Sequence, residues 1–275
     1  MKETKFIKIN TLDYCKLEYE NLTELEQNNH NHNYIICSMF TNNYYKYLNR
    51  FKYSILNHNL PVAIYLLPDI HYSITMKGSE DMRFTKHNFI LSCLERYQTD
   101  ILFLDIDLVL LSYPYIFDFI NTDFAIYNWL ADLENTGYIF DQNQNKYTPA
   151  QEIRYYTTDQ MIGTGPVHYW KPTEANKILL TNLATYLAKT PYASDDHMID
   201  IFYNFRDFDI SATWLPKEYC RFPWYPHIKP VVLHTDWPAP AQNRPSNDLK
   251  KLDVFKCQIR TNKPQDINCL TLYTY

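Results

Sequence analysis

The most distinctive pattern in the chain is a long apolar run that two acidic residues interrupt. Residues 101–111 read Ile-Leu-Phe-Leu-Asp-Ile-Asp-Leu-Val-Leu-Leu. An apolar run of this length between polar flanks predicts a strand buried on both faces. Two isolated buried carboxylates are costly, so we expect a divalent metal or a cationic partner beside Asp105 and Asp107.

The spacing of the two acids places a further condition on this strand. In one extended strand the side chains of Asp105 and Asp107 would lie about 6.6 Å apart, which is wide for two ligands of one ion. We therefore expect the strand to end or bend at Asp105. Asp107 would then bind a metal directly, and Asp105 would act partly through water or on a second ligand.

Strand-like and helix-like spacing of apolar positions alternate along most of the chain. Besides the run above, strands are predicted at 34–40, 62–67, 123–128, 159–170 (where a tight turn leads into the strand), 210–215 and 230–234. Helices are predicted at 43–58, 82–97, 115–120, 173–189 and from Ser194 onward. This alternation indicates an α/β fold, with a Rossmann-like, mostly parallel sheet flanked by helices.

The same patterns predict how the chain is organised. Residues 34–240 are predicted to form a single domain, residues 1–33 an N-terminal extension and polar linker, and residues 241–275 a C-terminal tail packed on the domain. Residues 129–152 are polar and rich in turn residues, which favours a substrate-facing loop. Ligands of such sheets bind beyond the carboxyl ends of the strands. Thr41 and Asn42 follow one predicted strand there, and Asp105 and Asp107 another.

Composition narrows the classes of function. The net charge of −5 gives no reason to expect nucleic acid or an anionic membrane as a partner. The six cysteines have no C-x-x-C spacing, which favours reduced thiols in the cytoplasm, and no apolar run is long enough to predict a transmembrane segment. Only four glycines occur, which excludes a glycine-rich phosphate loop. Any phosphate must therefore be held by a metal, by side chains or by helix N-termini.

Four motifs in order resemble the metal-dependent glycosyltransferases of the GT-A fold, in the nucleotide-diphospho-sugar transferase group. They are the Asp-x-Asp motif of Asp105 and Asp107, a small-residue turn with Gly165 before a Pro-Thr-Glu helix start, the acidic pair Asp195 and Asp196, and a late strand ending at His234. The resemblance covers about residues 34–238, and the ordered set is more specific than Asp-x-Asp alone.

The resemblance implies a set of roles for these residues. A divalent metal, Mn²⁺ or Mg²⁺, would bridge the diphosphate of a nucleotide-sugar donor, with Asp107 and His234 as direct ligands and Asp105 on the metal or the donor ribose. Thr41, Asn42, Lys86 and Gly165 would lie on the donor side, with Lys86 neutralising phosphate. Asp195 or Asp196 would stabilise the cationic sugar or orient the acceptor hydroxyl.

The implied reaction is transfer of a hexosyl or pentosyl group, with retention of anomeric configuration. The acceptor would be a saccharide, a lipid-linked molecule or a protein, and surface glycan biosynthesis is a plausible setting. Neither the donor's base and sugar nor the acceptor follows from the residues.

Two other functions remain open on the sequence. A haloacid-dehalogenase-like phosphatase also has an apolar strand followed by Asp-x-Asp, with Asp105 as nucleophile, Asp107 as acid/base and magnesium as cofactor. That motif usually lies near an N-terminus, and the later motifs have no place in it. The third function is a non-catalytic module that binds a nucleotide or carbohydrate.

Each proposed site residue also has a purely structural alternative. Asp105 and Asp107 would then form a salt-bridge site, and His234 would be a hydrogen-bonded core histidine. Asp195 and Asp196 would favour a helix N-terminus through the helix dipole.

Overall fold

A seven-stranded sheet forms the centre of the protein. The computed structural model describes residues 10–22, 33–68, 82–128, 138–141, 146–149, 163–189, 209–220 and 229–234. The strands are β1 (Lys16–Asn21), β2 (Tyr34–Phe40), β3 (Val62–Leu66), β4 (Asp100–Leu104), β5 (Leu108–Leu110), β6 (Phe124–Asn128), β7 (Tyr138–Asp141), β8 (Lys146–Pro149), β9 (Gly163–Trp170), β10 (Ala212–Leu215) and β11 (Val232–His234). The α-helices are α1 (Leu48–Leu56), α2 (Lys86–Tyr97) and α3 (Glu174–Lys189).

The central sheet is mostly parallel. Its strand order is β1-β3-β2-β4-β9-β6-β10. In this described sheet β2, β3, β4, β6 and β10 run in one direction, and β1 and β9 run against it. The fold class predicted from the sequence, an α/β sheet flanked by helices, is confirmed. The carboxyl ends of β2 and β4 therefore lie side by side at one edge of the sheet.

Apolar side chains cover both faces of the central sheet and form two apolar layers. Ile35 and Cys37 of β2 belong to the layer packed with α2 and α3, whereas Tyr34 and Ile36 belong to the layer packed with α1. Alternate residues of a strand point to opposite faces, so each central strand serves both layers. A strand between two such layers is apolar throughout, which explains the unbroken apolar character of β2.

Local signals fix the start and end of α2. Thr85 caps the helix, since its hydroxyl accepts a hydrogen bond from the backbone N–H of Asn88 at 3.2 Å. The helix ends at Gln98, which has a left-handed backbone with φ of 53°. Lys86 is therefore the first residue of a well-capped helix, and its backbone position is fixed.

Several elements differ from their predicted extent. The predicted helix at 43–58 begins as a 3₁₀ helix over Asn42–Tyr47 before α1 starts. Strand β1 lies inside the predicted N-terminal extension, where it joins the edge of the sheet beside β3. The hairpin of β7 and β8 lies inside the predicted loop at 129–152. The predicted helix at Ser194 and the tail at 241–275 lie outside the described residues.

No helix in the described ranges combines the length and the apolar character needed to cross a membrane.

The carboxyl of Asp118, in the 3₁₀ helix Tyr115–Asp118, should make the free energy of unfolding depend on pH. Burial raises the pKa of its carboxyl from 3.8 to about 6, although the Tyr113 hydroxyl, which donates to it at 3.2 Å, partly opposes the rise. Between pH 4 and pH 6 the folded protein thus binds more protons than the unfolded chain. The free energy of unfolding therefore falls as pH rises through this window.

We expect Asp118→Asn to stabilise the protein at pH 8 and to have little effect near pH 3.5, where the carboxyl is neutral in the folded protein and mostly neutral in the unfolded chain. Solvent reaches part of this side chain and screens the effect, so the gain at pH 8 should be about 1 kcal/mol or less. Urea unfolding at the two pH values measures it. An equal change at both values would contradict the assignment.

Candidate active site

The apolar run at 101–111 divides into two strands at its first acidic residue. Strand β4 ends at Leu104, and Asp105 leaves the sheet with its N–H donating to the Pro166 carbonyl of β9 at 3.0 Å. The N–H of Leu108 then donates to the Asp105 carbonyl at 3.1 Å, which closes a tight turn. The predicted bend at Asp105 is therefore present, and the two acids do not share one extended strand.

Asp105 is paired with a lysine. The Nζ atom of Lys86, at the start of α2, lies 3.3 Å from Oδ1 of Asp105. The lysine side chain is 11% exposed and that of Asp105 is 32% exposed, so the pair faces solvent on the aspartate side. The lysine also lies 5.3 Å from the centre of the Phe103 ring. The expected cationic partner is thus present. Asp105 is also less buried than a residue inside a central strand would be.

Asp107 lies beside the histidine that ends β11. Strands β5 and β11 form a separate antiparallel pair in which His234 is opposite Leu108. This pairing brings Nε2 of His234 to 3.8 Å from Oδ2 of Asp107. The side chains are 4% and 18% exposed, respectively. The contact joins residues more than a hundred positions apart, through a two-stranded ladder outside the main sheet.

The predicted donor-side residues lie near the same edge of the sheet. Thr41 follows β2 directly and is buried. Its backbone carbonyl accepts a hydrogen bond from the Tyr44 N–H at 2.8 Å, where the 3₁₀ helix begins. Asn42 is exposed. Gly165 precedes Pro166 in β9 and is therefore next to the backbone of Asp105. Asp195 and Asp196 lie outside the described residues, so their predicted catalytic roles stay predictions.

Sequence reasoning missed Arg50 as a neighbour of this site. Arg50 is an exposed residue of α1, and its Nη2 donates to the backbone carbonyl of Asp107 at 3.3 Å. Its guanidinium lies 5.0 Å from the centre of the Tyr47 ring. One weak signal existed: residues 27–68 contain no aspartate or glutamate that would bind this arginine locally.

The residues present fit a divalent metal in part. No group of three or more His, Cys, Asp or Glu side chains in the described ranges is placed to hold an ion. Asp107 and His234 nevertheless offer a carboxylate oxygen and an imidazole nitrogen, a donor set that suits manganese. Two ligands about 2.1 Å from one ion are about 3.0–4.2 Å apart. The separation of 3.8 Å falls within that interval.

Comparisons with known proteins give only a limited likeness. No protein-family model and no curated protein sequence matches the chain. Solved structures that match part of this chain include the bifunctional glycosyltransferase WbbM (14% sequence identity, TM-score 0.43) and the galactosyltransferase LgtC in complex with donor and acceptor sugar analogues (10% sequence identity, TM-score 0.44). Another is mouse xyloside xylosyltransferase 1 (12%, 0.40).

These matches differ in how much of each protein they include. The aligned part covers 74%, 81% and 75% of this chain, respectively. It spans 45% of WbbM, 95% of LgtC and 99% of the xylosyltransferase.

Proposed function

We propose that this protein is a metal-dependent glycosyltransferase that moves a sugar from a nucleotide-diphosphate donor to an acceptor hydroxyl. The observation that carries the proposal is the pairing of Asp107 with His234 next to the turn at Asp105. Asp105 and Asp107 belong to one turn after β4, and His234 reaches the same edge of the sheet from a distant part of the chain. The edge is where ligands of parallel sheets bind.

The pair of Asp107 and His234 would hold Mn²⁺ or Mg²⁺. A bound cation would stabilise the negative charge that the leaving nucleoside diphosphate gains. Asp107 supplies a charged oxygen from the β4–β5 turn, and His234 supplies a nitrogen from a buried strand end. Because β11 pairs with β5, His234 is held opposite Leu108, the residue that follows Asp107.

The pair of Lys86 and Asp105 would act on the donor. Lys86 already compensates the charge of Asp105 at 3.3 Å, so Asp105 is better suited to bind donor hydroxyls than to be the main metal ligand. Lys86 would shift toward a phosphate oxygen when the donor binds. Thr41, Asn42 and Gly165 would line the nucleotide side of the same edge.

The remaining features of the reaction are also part of the proposal. Asp195 or Asp196 would stabilise the cationic sugar or orient the acceptor, and transfer of a hexosyl or pentosyl group would proceed with retention. The acceptor would be a saccharide, a lipid-linked molecule or a protein, in surface glycan biosynthesis in the cytoplasm.

The phosphatase alternative is not favoured. It assigns Asp107 to acid/base chemistry and leaves its contact with His234 without a role. It also makes Asp105 the nucleophile. If so, beryllofluoride, which mimics an aspartyl phosphate, should raise the melting temperature of the protein, and nucleotide sugars should not.

Thermal stabilisation by a panel of nucleotide sugars tests the proposal. A donor at about 100 times its Kd adds about 2.7 kcal/mol of stability, which corresponds to roughly 5 °C in Tm for a chain of this size. The shift should require Mn²⁺ and disappear with a chelator. If no donor raises Tm in the presence of metal, the proposal fails.

Slow metal-dependent hydrolysis of the stabilising donor, measured in the same samples, separates an enzyme from a non-catalytic binding module. Its absence with every donor that binds would support the module.

A further inference from the structure

One edge of strand β5 is hydrogen-bonded to β11, and the other edge faces helix α1. On one side the N–H of Leu111 donates to the Val231 carbonyl at 2.8 Å, in continuation of the pairing with β11. Hydrogen-bonding direction alternates along an antiparallel strand, so the backbone groups of Leu110 point away from β11. A buried strand edge needs partners for these groups.

Side chains of α1 and the turn after it supply the partners. Oγ of Ser54 accepts the Leu110 N–H at 3.1 Å and itself donates to the Phe51 carbonyl at 2.7 Å. The ring of His58, in the turn after α1, lies near the backbone of Leu110. Nη2 of Arg50 donates to the carbonyl of Asp107.

These three side chains are spaced four residues apart and form one row along the helix and its end. We call Arg50, Ser54 and His58 the α1 clamp. The clamp contacts the backbone at both ends of a short segment, at Asp107 and at Leu110. Leu48, Phe51 and Ile55 pack in the same apolar layer as Leu108 and Leu110, which holds the helix against the strand.

We propose that the α1 clamp positions Asp107 relative to His234, and that Arg50 and Ser54 are positioning residues for metal binding. This inference rests on the proposed function, because it assumes that the two side chains hold an ion together. Strand β5 has only three residues, so its ladder with β11 offers few hydrogen bonds to fix the register. The clamp adds contacts from a helix that is anchored in the core.

The clamp acts on backbone atoms, whereas the ligand atoms belong to the side chain of Asp107. Loss of the Arg50 contact removes a hydrogen bond from the carbonyl of the residue whose carboxylate faces His234. Loss of partners that orient metal ligands typically weakens metal affinity about 10–100-fold. The clamp is therefore expected to affect affinity for the ion without touching the ion.

Manganese affinity, measured by the electron paramagnetic resonance signal of free Mn²⁺ in the absence of substrate, tests the inference. Arg50→Gln is the main variant, because an exposed residue can be replaced without loss of folding. We expect the Kd for Mn²⁺ to rise about tenfold in Arg50→Gln and in Ser54→Ala. Ser54→Thr, which keeps the hydroxyl, should retain most of the native affinity.

Lys52→Gln is the matched control. It removes the same charge from the same helix, but Lys52 lies near the rings of Tyr19 and Tyr53 and is directed to the other side of α1 from Arg50 and Ser54. The control should bind Mn²⁺ like the native protein. An equal loss in Lys52→Gln and Arg50→Gln would mean that a general change of α1, and not the contact of Arg50 with Asp107, lowers the affinity, and would overturn the inference.

The two levels of the proposal fail in different ways. If the native protein binds Mn²⁺ and folded Arg50→Gln and Ser54→Ala bind it equally well, the clamp has no positioning role and the proposed function stands. If the native protein binds no Mn²⁺ at millimolar concentration, the proposed function fails and the clamp inference fails with it. Circular dichroism and Tm of each variant establish that it is folded.

Discussion

Asp107→Asn is expected to abolish metal-dependent sugar transfer. The substitution keeps the shape of the side chain but replaces a charged oxygen with a neutral amide, so the site loses both affinity for the ion and charge. We expect kcat/KM to fall by about 10²–10³-fold, the range seen when one preorganised group that stabilises transition-state charge is removed. Transfer from a labelled donor that binds in the thermal assay provides the measurement.

The matched control for this change is Asp209→Asn, which replaces an exposed carboxylate elsewhere in the chain. Its kcat/KM should stay within twofold of the native value. Turnover by Asp107→Asn within tenfold of the native enzyme would refute the metal-ligand role. Loss of turnover with native Mn²⁺ affinity would instead assign Asp107 to acid/base chemistry, as the phosphatase alternative requires.

His234→Gln is expected to have the second largest effect, and to differ in kind. The charged ligand Asp107 remains, so the Kd for Mn²⁺ should rise about 100-fold, and a large excess of Mn²⁺ should recover part of the activity. The apparent activation constant for Mn²⁺ would change more than kcat at saturating metal. Mn²⁺ titration of activity and of the free-metal resonance signal gives both values.

His168→Gln is the control that shows whether His234 is a metal ligand or an ordinary core histidine. His168 is as buried as His234, but it lies on β9 with its ring against Phe103 and His87. If His234 is only a core residue, both variants should lower Tm and leave the Kd for Mn²⁺ unchanged. If it is a ligand, only His234→Gln should weaken Mn²⁺ binding.

The elements that sequence patterns predict well are those with a local cause. The predicted strand at 34–40 coincides with β2 because every residue in it is buried, which makes the whole run apolar. The helix α2 was predicted from the helical spacing of its apolar residues, although the predicted start at residue 82 falls on a 3₁₀ helix that precedes the cap at Thr85. The bend at Asp105 was predicted because two acids two positions apart on one extended strand would lie too far apart to bind one ion.

Other elements depend on distant parts of the chain. Strand β1 is only partly buried and lies at the sheet edge, so its composition resembles that of a polar extension. The hairpin of β7 and β8 forms a separate sheet within a polar, turn-rich stretch. Neither has an apolar face long enough to stand out in the sequence.

The site residues also differ in whether a local sequence signal predicts them. Lys86 was placed by motif position alone, and its contact with Asp105 depends on how α2 packs on β4. Arg50 carries no motif and looks like any exposed helix residue. Only the packing of α1 along β5 gives it a neighbour in the site.

The separation of β5 from the main sheet has a consequence for how this site can diversify. Asp107 and His234 lie at the end of a two-stranded ladder outside the main sheet, whereas Asp105 is hydrogen-bonded to β9 of the main sheet. A shift of register in the β5–β11 ladder therefore does not require a shift in the register of the seven strands. Evolution or engineering can thus remodel the metal-side half of the site while the donor-side half is inherited with the core.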